Sequence, residues 1–180
     1  MADFTELNGT WTIDGAHSRL GFTARHAMIS KVRGEFSDKE GAITIDGTNP
    51  NNSSVKVVAQ TASFTTENET RDKHVRSGDF LGVDKYPEMS FESTKVEVGE
   101  GTVTVTGNLT IKATTKEVNV TLDWAGPVKD PMGSERIGFE GSFEINRQDY
   151  GVSFSAPMET GGILVADKIT VNLDIEAVRA

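Results

Sequence analysis

The sequence predicts an all-β protein, a single extended antiparallel β-barrel of eight strands with one short helix. Three observations support this fold class. The chain contains 17 Val, 10 Ile and 20 Thr but 7 Leu, and β-branched residues are typical of strands. Its apolar residues recur at alternate positions, which is the period of a strand with one buried face. The 180 residues contain no linker and no internal repeat, so they predict one domain, residues 1–180.

Eight alternating rows of residues account for the predicted strands. Short turns that contain Gly or Asp separate most of the rows, as in an antiparallel meander or barrel. The first row changes parity near Gly15, which predicts a bulge within one long strand. The rows are Trp11, Ile13, Leu20, Phe22 and Ala24; Val32, Gly34, Phe36, Ile43 and Ile45; Val55, Val57, Ala59 and Thr61; Met89, Phe91 and Ser93; Val103, Val105, Gly107, Leu109 and Ile111; Val118, Val120, Leu122 and Trp124; Ile137, Phe139, Gly141, Phe143 and Ile145; and Ile169, Val171, Leu173, Ile175 and Ala177.

One segment lacks this alternation and predicts the helix. Thr66-Glu67-Asn68-Glu69 fits a capping box, the chain then stays polar, and Gly78 can end the helix in a left-handed conformation. Val75 is the clear apolar residue of the segment. We therefore expect the helix to lie outside the main core, across one end of the barrel, and to be attached through Phe80 and Leu81.

The inward rows combine large and small residues, which leaves the state of the barrel interior open. An eight-stranded barrel can be filled by side chains or can hold one small ligand. The rings of Phe22 and Phe139 alternate with smaller residues such as Ala59, Gly107 and Gly141, which would leave a long apolar cavity. Alternatively, the glycines serve the twist and closure of the sheet, and neighbouring rings fill their places. If the cavity exists, we expect Trp at position 59 or 141 to block it and to leave the fold largely intact.

The composition disfavours several functional classes. The formal net charge is −9, which opposes binding to nucleic acid. The chain has no Cys and therefore neither a thiol nucleophile nor a thiolate metal site. It has no nucleophile elbow, phosphate-binding loop, dinucleotide motif or zinc-protease helix motif, so we expect no catalytic residue, cofactor or metal. No segment has the apolar length of a membrane span or the pattern of a signal peptide, so we expect a cytoplasmic location.

Few polar residues are candidates for a binding site. His26 is placed on a strand and His74 on the helix, and hydrogen-bonding roles are favoured over metal binding for both. Arg71, Asp72 and His74 form the densest charged cluster. They could line a cavity mouth and bind a polar head group, or they could face solvent with an Arg–Asp ion pair. Arg25 and Arg147 are further candidate donors, although Arg25 lies on the parity opposite to Phe22 and Ala24.

Seven short motifs occur in a fixed order along nearly the whole chain, and together they are specific. They are Trp11-Thr12-Ile13-Asp14 with His17-Ser18; Phe22 with His26; Gly34-Glu35-Phe36; Arg71-Asp72-Lys73-His74-Val75 with Ser77, Asp79 and Phe80; Tyr86-Pro87 with Phe91; Gly107-Asn108-Leu109-Thr110-Ile111 with Thr115-Lys116-Glu117-Val118; and Asn146-Arg147 with Tyr150-Gly151. In these motifs the chain resembles the YceI-like family, also called the polyisoprenoid-binding proteins.

The resemblance implies a lipocalin-like barrel with a hydrophobic tunnel. Such a tunnel would bind, store or transport a long-chain isoprenoid of the polyprenyl or quinone type, or a similar amphiphilic lipid, without catalysis. We therefore predict a polar mouth and an apolar lining. The residues predicted for the mouth are His26, Arg71, Asp72, His74 and Arg147. The residues predicted for the lining are Phe22, Ala24, Val57, Ala59, Met89, Phe91, Val105, Leu109, Val120, Leu122, Phe139, Phe143 and Leu173.

Two alternative functions stay open at this stage. One is an enzyme that acts on a lipid or a small substrate, with His26 or His74 as the acid–base group. The other is a ligand-free stress-response barrel that is filled by its own rings. A homodimer is consistent with the exposed edges of many barrels.

Overall fold

The computed structural model describes residues 3–155 and 165–180. These residues form eleven strands, one α-helix and several short 3-10 turns. The helix, α1, is Glu69–Arg76. The strands are β1 (Gly9–Ile13), β2 (Arg19–His26), β3 (Ser30–Phe36), β4 (Lys39–Ile45), β5 (Ser54–Gln60), β6 (Phe64–Thr65), β7 (Glu88–Val98), β8 (Thr102–Ile111), β9 (Thr114–Lys129), β10 (Glu135–Asn146) and β11 (Val165–Arg179).

Eight of these strands close into a barrel in which all pairs are antiparallel. The order around the ring is β1-β4-β5-β7-β8-β9-β10-β11, and β11 pairs with β1 to close it. The other three strands follow β11 in the order β2-β3-β6. Strand β2 pairs with the first part of β11, whereas β1 pairs with its last residues. The predicted fold class, an eight-stranded antiparallel barrel with one short helix, is therefore confirmed.

A loop separates β1 from β2 at the position of the predicted bulge. The Asp14 backbone N donates to the Glu176 carbonyl at 2.8 Å. The Ser18 hydroxyl donates to the same carbonyl at 3.1 Å and accepts from the Glu176 N at 2.9 Å. Residues 15–17 thus leave the sheet between two contacts with one residue of β11. The interruption is larger than a single-residue bulge, but β1 and β2 still lie along one edge of β11.

The N-terminal segment closes one end of the barrel. A 3-10 turn, Phe4–Leu7, packs beneath Trp11, and both Leu7 and Trp11 are completely buried. The Trp11 Nε1 donates to the Leu7 carbonyl at 2.7 Å. The guanidinium carbon of Arg179 lies 4.2 Å from the centre of the Trp11 ring. The polar atom and both faces of this indole are thus used in closing the barrel.

Helix α1 lies beside β6, and its first residue is Glu69, later than the predicted capping box indicates. Asn68 is the N-cap, and its side-chain oxygen accepts from the Arg71 N at 3.0 Å. Thr66 precedes the helix, and Gly78 does not adopt the left-handed conformation predicted for it. The predicted cap at Thr66 is therefore wrong, because the side chain of Asn68 caps the helix instead. Within the described ranges, no helix combines the length and the apolar character that a bilayer crossing requires.

Candidate functional site

The barrel encloses one large cavity of about 910 Å³. Pockets that bind drug-sized ligands have volumes of about 300–1,000 Å³, so this cavity is at the upper end of that range. Its wall is mainly aliphatic and aromatic. All thirteen residues that the sequence predicts for the lining border this cavity. They are Phe22, Ala24, Val57, Ala59, Met89, Phe91, Val105, Leu109, Val120, Leu122, Phe139, Phe143 and Leu173.

Glycines opposite aromatic residues explain why large rings do not fill the interior. Phe22 on β2 lies opposite Gly34 on β3, and a Cβ atom at Gly34 would overlap the Phe22 ring. A Cβ atom at Gly107 would lie 2.5 Å from Cζ of Phe91. Each ring therefore covers a glycine and lies against the barrel wall. Both interpretations of the inward rows thus hold in part, because rings fill the glycine positions and a long cavity still remains.

Gly141 does not border the cavity, which overturns one expectation. A Cβ atom there would lie 2.7 Å from the Thr121 carbonyl oxygen and 2.8 Å from Leu122 Cδ2. A Trp at this position would push β9 and β10 apart before it reached the lumen. The expectation that this substitution leaves the fold intact is therefore wrong, whereas Ala59 does border the cavity.

The two ends of the cavity differ in polarity. Strand β11 runs from one end to the other, because Val165 at its start lies opposite His26 and Arg179 at its end lies opposite Trp11. At the Trp11 end the cavity is bordered mainly by apolar residues such as Phe4, Ile13 and Phe139, together with the uncharged polar residues Thr44, Ser53 and Ser54. At the His26 end, which we call the mouth, the polar residues Arg25, His26, Arg71 and His74 border it.

Arg71 and His74 are held at the mouth by neighbouring polar groups. The Arg71 Nε donates to the Thr66 hydroxyl at 2.8 Å, and its Nη2 donates to the Thr66 carbonyl at 3.3 Å. The His74 Nε2 lies 2.9 Å from Oδ2 of Asp79. The His74 ring also meets the rings of Phe80 and Phe154 edge-on, at centroid distances of 5.1 and 5.0 Å. Arg71 can therefore present its remaining N–H donors to a polar group at the mouth from a fixed position, whereas the Nε2 of His74 is already engaged by Asp79.

Asp72 was predicted for the mouth but does not border the cavity. Its side chain is buried and accepts hydrogen bonds from the Thr66 N at 2.8 Å and the Thr65 hydroxyl at 3.3 Å. It forms no ion pair with Arg71 in the described part of the chain. Asp72 therefore fastens α1 to β6, because a buried carboxylate requires hydrogen-bond donors and the chain supplies them locally.

Arg147 borders the cavity, but its guanidinium is already occupied by backbone groups. The residue is 3% exposed. Its Nε donates to the Ala166 carbonyl at 3.0 Å, its Nη1 to those of Val152 and Phe154 at 2.7 and 2.8 Å, and its Nη2 to that of Val165 at 3.1 Å. Burial lowers the pKa of Arg147 from its usual value. The side chain joins β11 to the segment after β10, and its Nη2 also faces Oδ1 of Asp167 at 3.4 Å, so it lacks free donors for a head group.

A second polar cluster lies outside the cavity. Arg136 Nη1 donates to Oδ2 of Asp14 at 2.9 Å and to Oε1 of Glu176 at 2.7 Å, and Arg136 Nε donates to Oδ2 of Asp130 at 2.7 Å. Asp14, His17 and Glu176 also have metal-ligating atoms within 4.8 Å of one another. Because Arg136 already pairs with the carboxylates of Asp14 and Glu176, a metal cation would have to displace its guanidinium. This cluster therefore fits a structural network around the β1–β2 loop.

Comparison with known proteins identifies the family. The family model described as "YceI-like domain" matches residues 11–177. The chain belongs to the YceI-like domain family. A UPF0312 protein of Pseudomonas paraeruginosa is 37% identical over 166 residues, which cover 92% of this chain and 84% of that protein. The family resemblance that the seven motifs indicated is thus confirmed.

Solved structures give the same fold for this YceI-like chain. BcnA of Burkholderia cenocepacia superposes with a TM-score of 0.80 at 22% identity, covering 91% of this chain and 98% of that one. A polyisoprenoid binding domain from Saccharophagus degradans, implicated in plant cell wall breakdown, gives a TM-score of 0.74 at 14% identity and covers 94% and 98% of the two chains. At these identities the likeness concerns the fold.

Ionisation of Asp14 should contribute to acid stability in this YceI-like protein. The hydrogen bond from Arg136 and the contact with His17 lower the pKa of Asp14 from 3.8 to about 2. A carboxyl whose pKa is lowered by folding stabilises the native state above its unfolded pKa, and this stabilisation is lost as the pH falls through about 4 to 2. We expect Asp14→Asn to lower the melting temperature at neutral pH and to reduce its decline in that acidic range. The melting temperature of Asp174→Asn, which alters an exposed carboxyl, should follow the wild type at every pH.

Sequence reasoning missed several residues of the site. Phe4 closes the apolar end, and Phe154 packs against His74 at the mouth. Neither residue belongs to an alternating row, so periodicity could not indicate them. The network centred on Arg136 was also missed, since its partners come from three distant parts of the chain.

Proposed function

We propose that this barrel binds a long-chain isoprenoid of the polyprenyl or quinone type, or a similar amphiphilic lipid, and stores or carries it without chemical change. The observation that carries the proposal is the apolar cavity of about 910 Å³ with one closed end and one polar mouth. Membership of the YceI-like family supports it. A polyisoprenoid binding domain among the proteins of similar fold supports it as well.

Burial of a hydrocarbon tail can supply the affinity. Each buried CH₂ contributes about 0.8 kcal/mol, so ten such groups contribute on the order of 8 kcal/mol before the cost of association. No specific polar contact is then required for tight binding. The width of the lumen, set by residues such as Phe22 and Phe91 against their glycines, would select flexible, narrow tails.

The polarity of the two ends fixes the orientation of the ligand. A tail entering first is buried towards Phe4 and Ile13, and its polar head stays at the mouth. There the Arg71 guanidinium, held by Thr66, can donate to an anionic or carbonyl-bearing head group. Arg147 and Asp72 have no part in this recognition, since backbone groups occupy both side chains.

Mass spectrometry of the purified protein tests the proposal. We expect a native spectrum that contains a lipid adduct of defined mass, and organic extraction should release one lipid class in a stoichiometric amount. Added polyprenyl compounds should raise the melting temperature of delipidated protein, because a ligand that binds only the folded state stabilises it. Repeated preparations without lipid, together with an unchanged melting temperature, would refute the proposal for this chain.

The chemical state of the recovered lipid separates carriage from catalysis. His26 and His74 both border the cavity, so they are the acid–base groups that the enzyme alternative would use. Our proposal predicts that lipid incubated with the protein is recovered unchanged. Chemical conversion of the lipid by the wild type that is lost in His26→Gln or His74→Gln would instead support an enzyme. The cytoplasmic location and a homodimer stay predictions, which cell fractionation and analytical ultracentrifugation test.

A further inference from the structure

Two exposed apolar side chains lie at the tip of the β2–β3 hairpin, beside the mouth. Four large apolar residues are exposed in the described part of the chain, namely Met28 (63%), Ile29 (82%), Val128 (64%) and Met132 (90%). Met28 and Ile29 follow His26, which borders the cavity. Val128, near the end of β9, and Met132, in the β9–β10 connection, lie near Arg179 at the closed end. The hairpin tip beside the mouth is therefore apolar and exposed.

The conformation of this tip is unusual for its sequence. Ala27 and Met28 have φ values of 51° and 59°, and the Ile29 N donates to the His26 carbonyl at 3.1 Å. Ala27 and Met28 are thus the central residues of a β-turn within the three-residue loop between His26 and Ser30, and Asn or Gly is preferred where φ is positive. Here Ala and Met occupy those positions and place apolar groups in solvent. Local turn preference does not explain the choice, so a function of the tip is indicated.

The hairpin carries exposed basic side chains, in contrast to the acidic character of the whole chain, and one of them, Arg25, also borders the cavity at the mouth. Arg25 lies opposite Lys31 across the β2–β3 pair, and Arg33 lies two residues beyond Lys31. All three side chains are exposed and form no ion pair with the residues that the structure describes. Residues 20–34 contain no Asp or Glu, although the whole chain has a net charge of −9. The hairpin therefore presents three positive charges directly behind an apolar tip.

We infer that the β2–β3 hairpin docks on the surface of an anionic phospholipid bilayer. Met28 and Ile29 would enter the interface between head groups and acyl chains, and Arg25, Lys31 and Arg33 would contact lipid phosphates. This combination of apolar insertion and basic flanks is the pattern by which peripheral proteins bind membranes. Screening at physiological salt limits charge interactions to about 8 Å, so the charge close to the hairpin, rather than the net charge of the whole chain, governs its contact with an anionic surface.

Docking in this orientation sets the mouth of the cavity against the membrane. Phe22, Ala24 and His26 alternate along β2 from the lumen to the tip and border the cavity together. A lipid tail that leaves the bilayer beside Met28 would therefore meet this row of β2 first. The inference does not depend on which ligand the cavity holds, because vesicle binding is measured separately from uptake.

Vesicle flotation tests the inference with the full-length protein. We expect binding to vesicles made of equal parts phosphatidylcholine and phosphatidylglycerol, weaker binding to phosphatidylcholine alone, and release by high salt. Each basic residue near an anionic surface contributes roughly a factor of five to binding. Arg25→Gln/Lys31→Gln/Arg33→Gln should thus weaken binding on the order of 100-fold, and Met28→Asn/Ile29→Ser by about tenfold or more. Asn suits the left-handed position of Met28, so the second variant should fold.

A matched variant at the closed end provides the control. Val128→Ser/Met132→Ser removes the other two exposed apolar residues and should bind vesicles like the wild type. Ala59→Trp should also bind vesicles normally, because it alters only the lumen. Equal binding by the tip variant and the wild type would overturn the inference, as would the absence of wild-type binding. A dimer that is lost in Met28→Asn/Ile29→Ser, without vesicle binding, would assign the tip to self-association and would likewise overturn it.

Discussion

Replacing Ala59 with Trp is expected to abolish lipid loading and to leave a folded barrel. Ala59 is 1% exposed and borders the cavity on β5, between Lys39 of β4 and Met89 of β7. An indole there projects into the lumen and narrows it at the level of Ala59, where a tail would have to pass. We expect the lipid recovered by extraction to fall more than about tenfold, since several buried CH₂ groups at about 0.8 kcal/mol each are lost.

The same substitution on the outside of the barrel controls for effects on folding. Ala42 lies on β4, is exposed and does not border the cavity. Ala42→Trp should therefore retain both the lipid and the circular dichroism spectrum of the wild type. If folded Ala59→Trp protein kept its full lipid content, the tail could not pass Ala59 and the proposed path through the lumen would be wrong.

Replacing Arg147 with Met should cause the largest loss of stability. Its guanidinium donates to four backbone carbonyls, and the side chain is almost fully buried. Hydrogen bonds from a charged donor contribute about 1.5–3 kcal/mol, and a buried carbonyl left without a donor costs about 1–3 kcal/mol. We expect the free energy of unfolding, measured with urea, to fall by about 3–5 kcal/mol.

Two further variants make this test specific. Arg147→Lys keeps the charge, but a single amine cannot reach all four carbonyls, so its stability should lie between those of the wild type and Arg147→Met. Arg33→Met removes an exposed Arg and should change stability by less than about 0.5 kcal/mol. A wild-type urea midpoint for Arg147→Met would show that water or local rearrangement satisfies these carbonyls.

The sequence predicted the lining well because strand periodicity carries the needed information. In a strand, alternate side chains face the same side, so one inward residue such as Phe22 identifies its neighbours in the row. Closure of the barrel then brings every inward row to one lumen. The fold class and the inward rows around the cavity follow from this geometry, whereas Phe4 and Phe154, which lie outside the rows, do not.

The size of the cavity and the roles of the polar residues did not follow from the sequence. Whether Gly107 leaves space depends on the ring of Phe91 on another strand, and such a neighbour is known only once the register is known. Asp72 and Arg147 bind backbone groups of Thr66 and of residues near the start of β11. Backbone donors and acceptors are the same at every position, so no sequence motif distinguishes these partners from a ligand.

The pairing of the first strand with the last has a consequence for the order of folding. Trp11, Thr12 and Ile13 pair with Arg179, Val178 and Ala177, so the ring joins residues from opposite ends of the chain. During synthesis β1 cannot complete its pairing until β11 has left the ribosome. Contacts of this separation slow folding, and an incomplete chain would expose its apolar inner face. Closure of the barrel therefore requires β11, and removal of the β11 residues that pair with β1 should open the end that Trp11 closes.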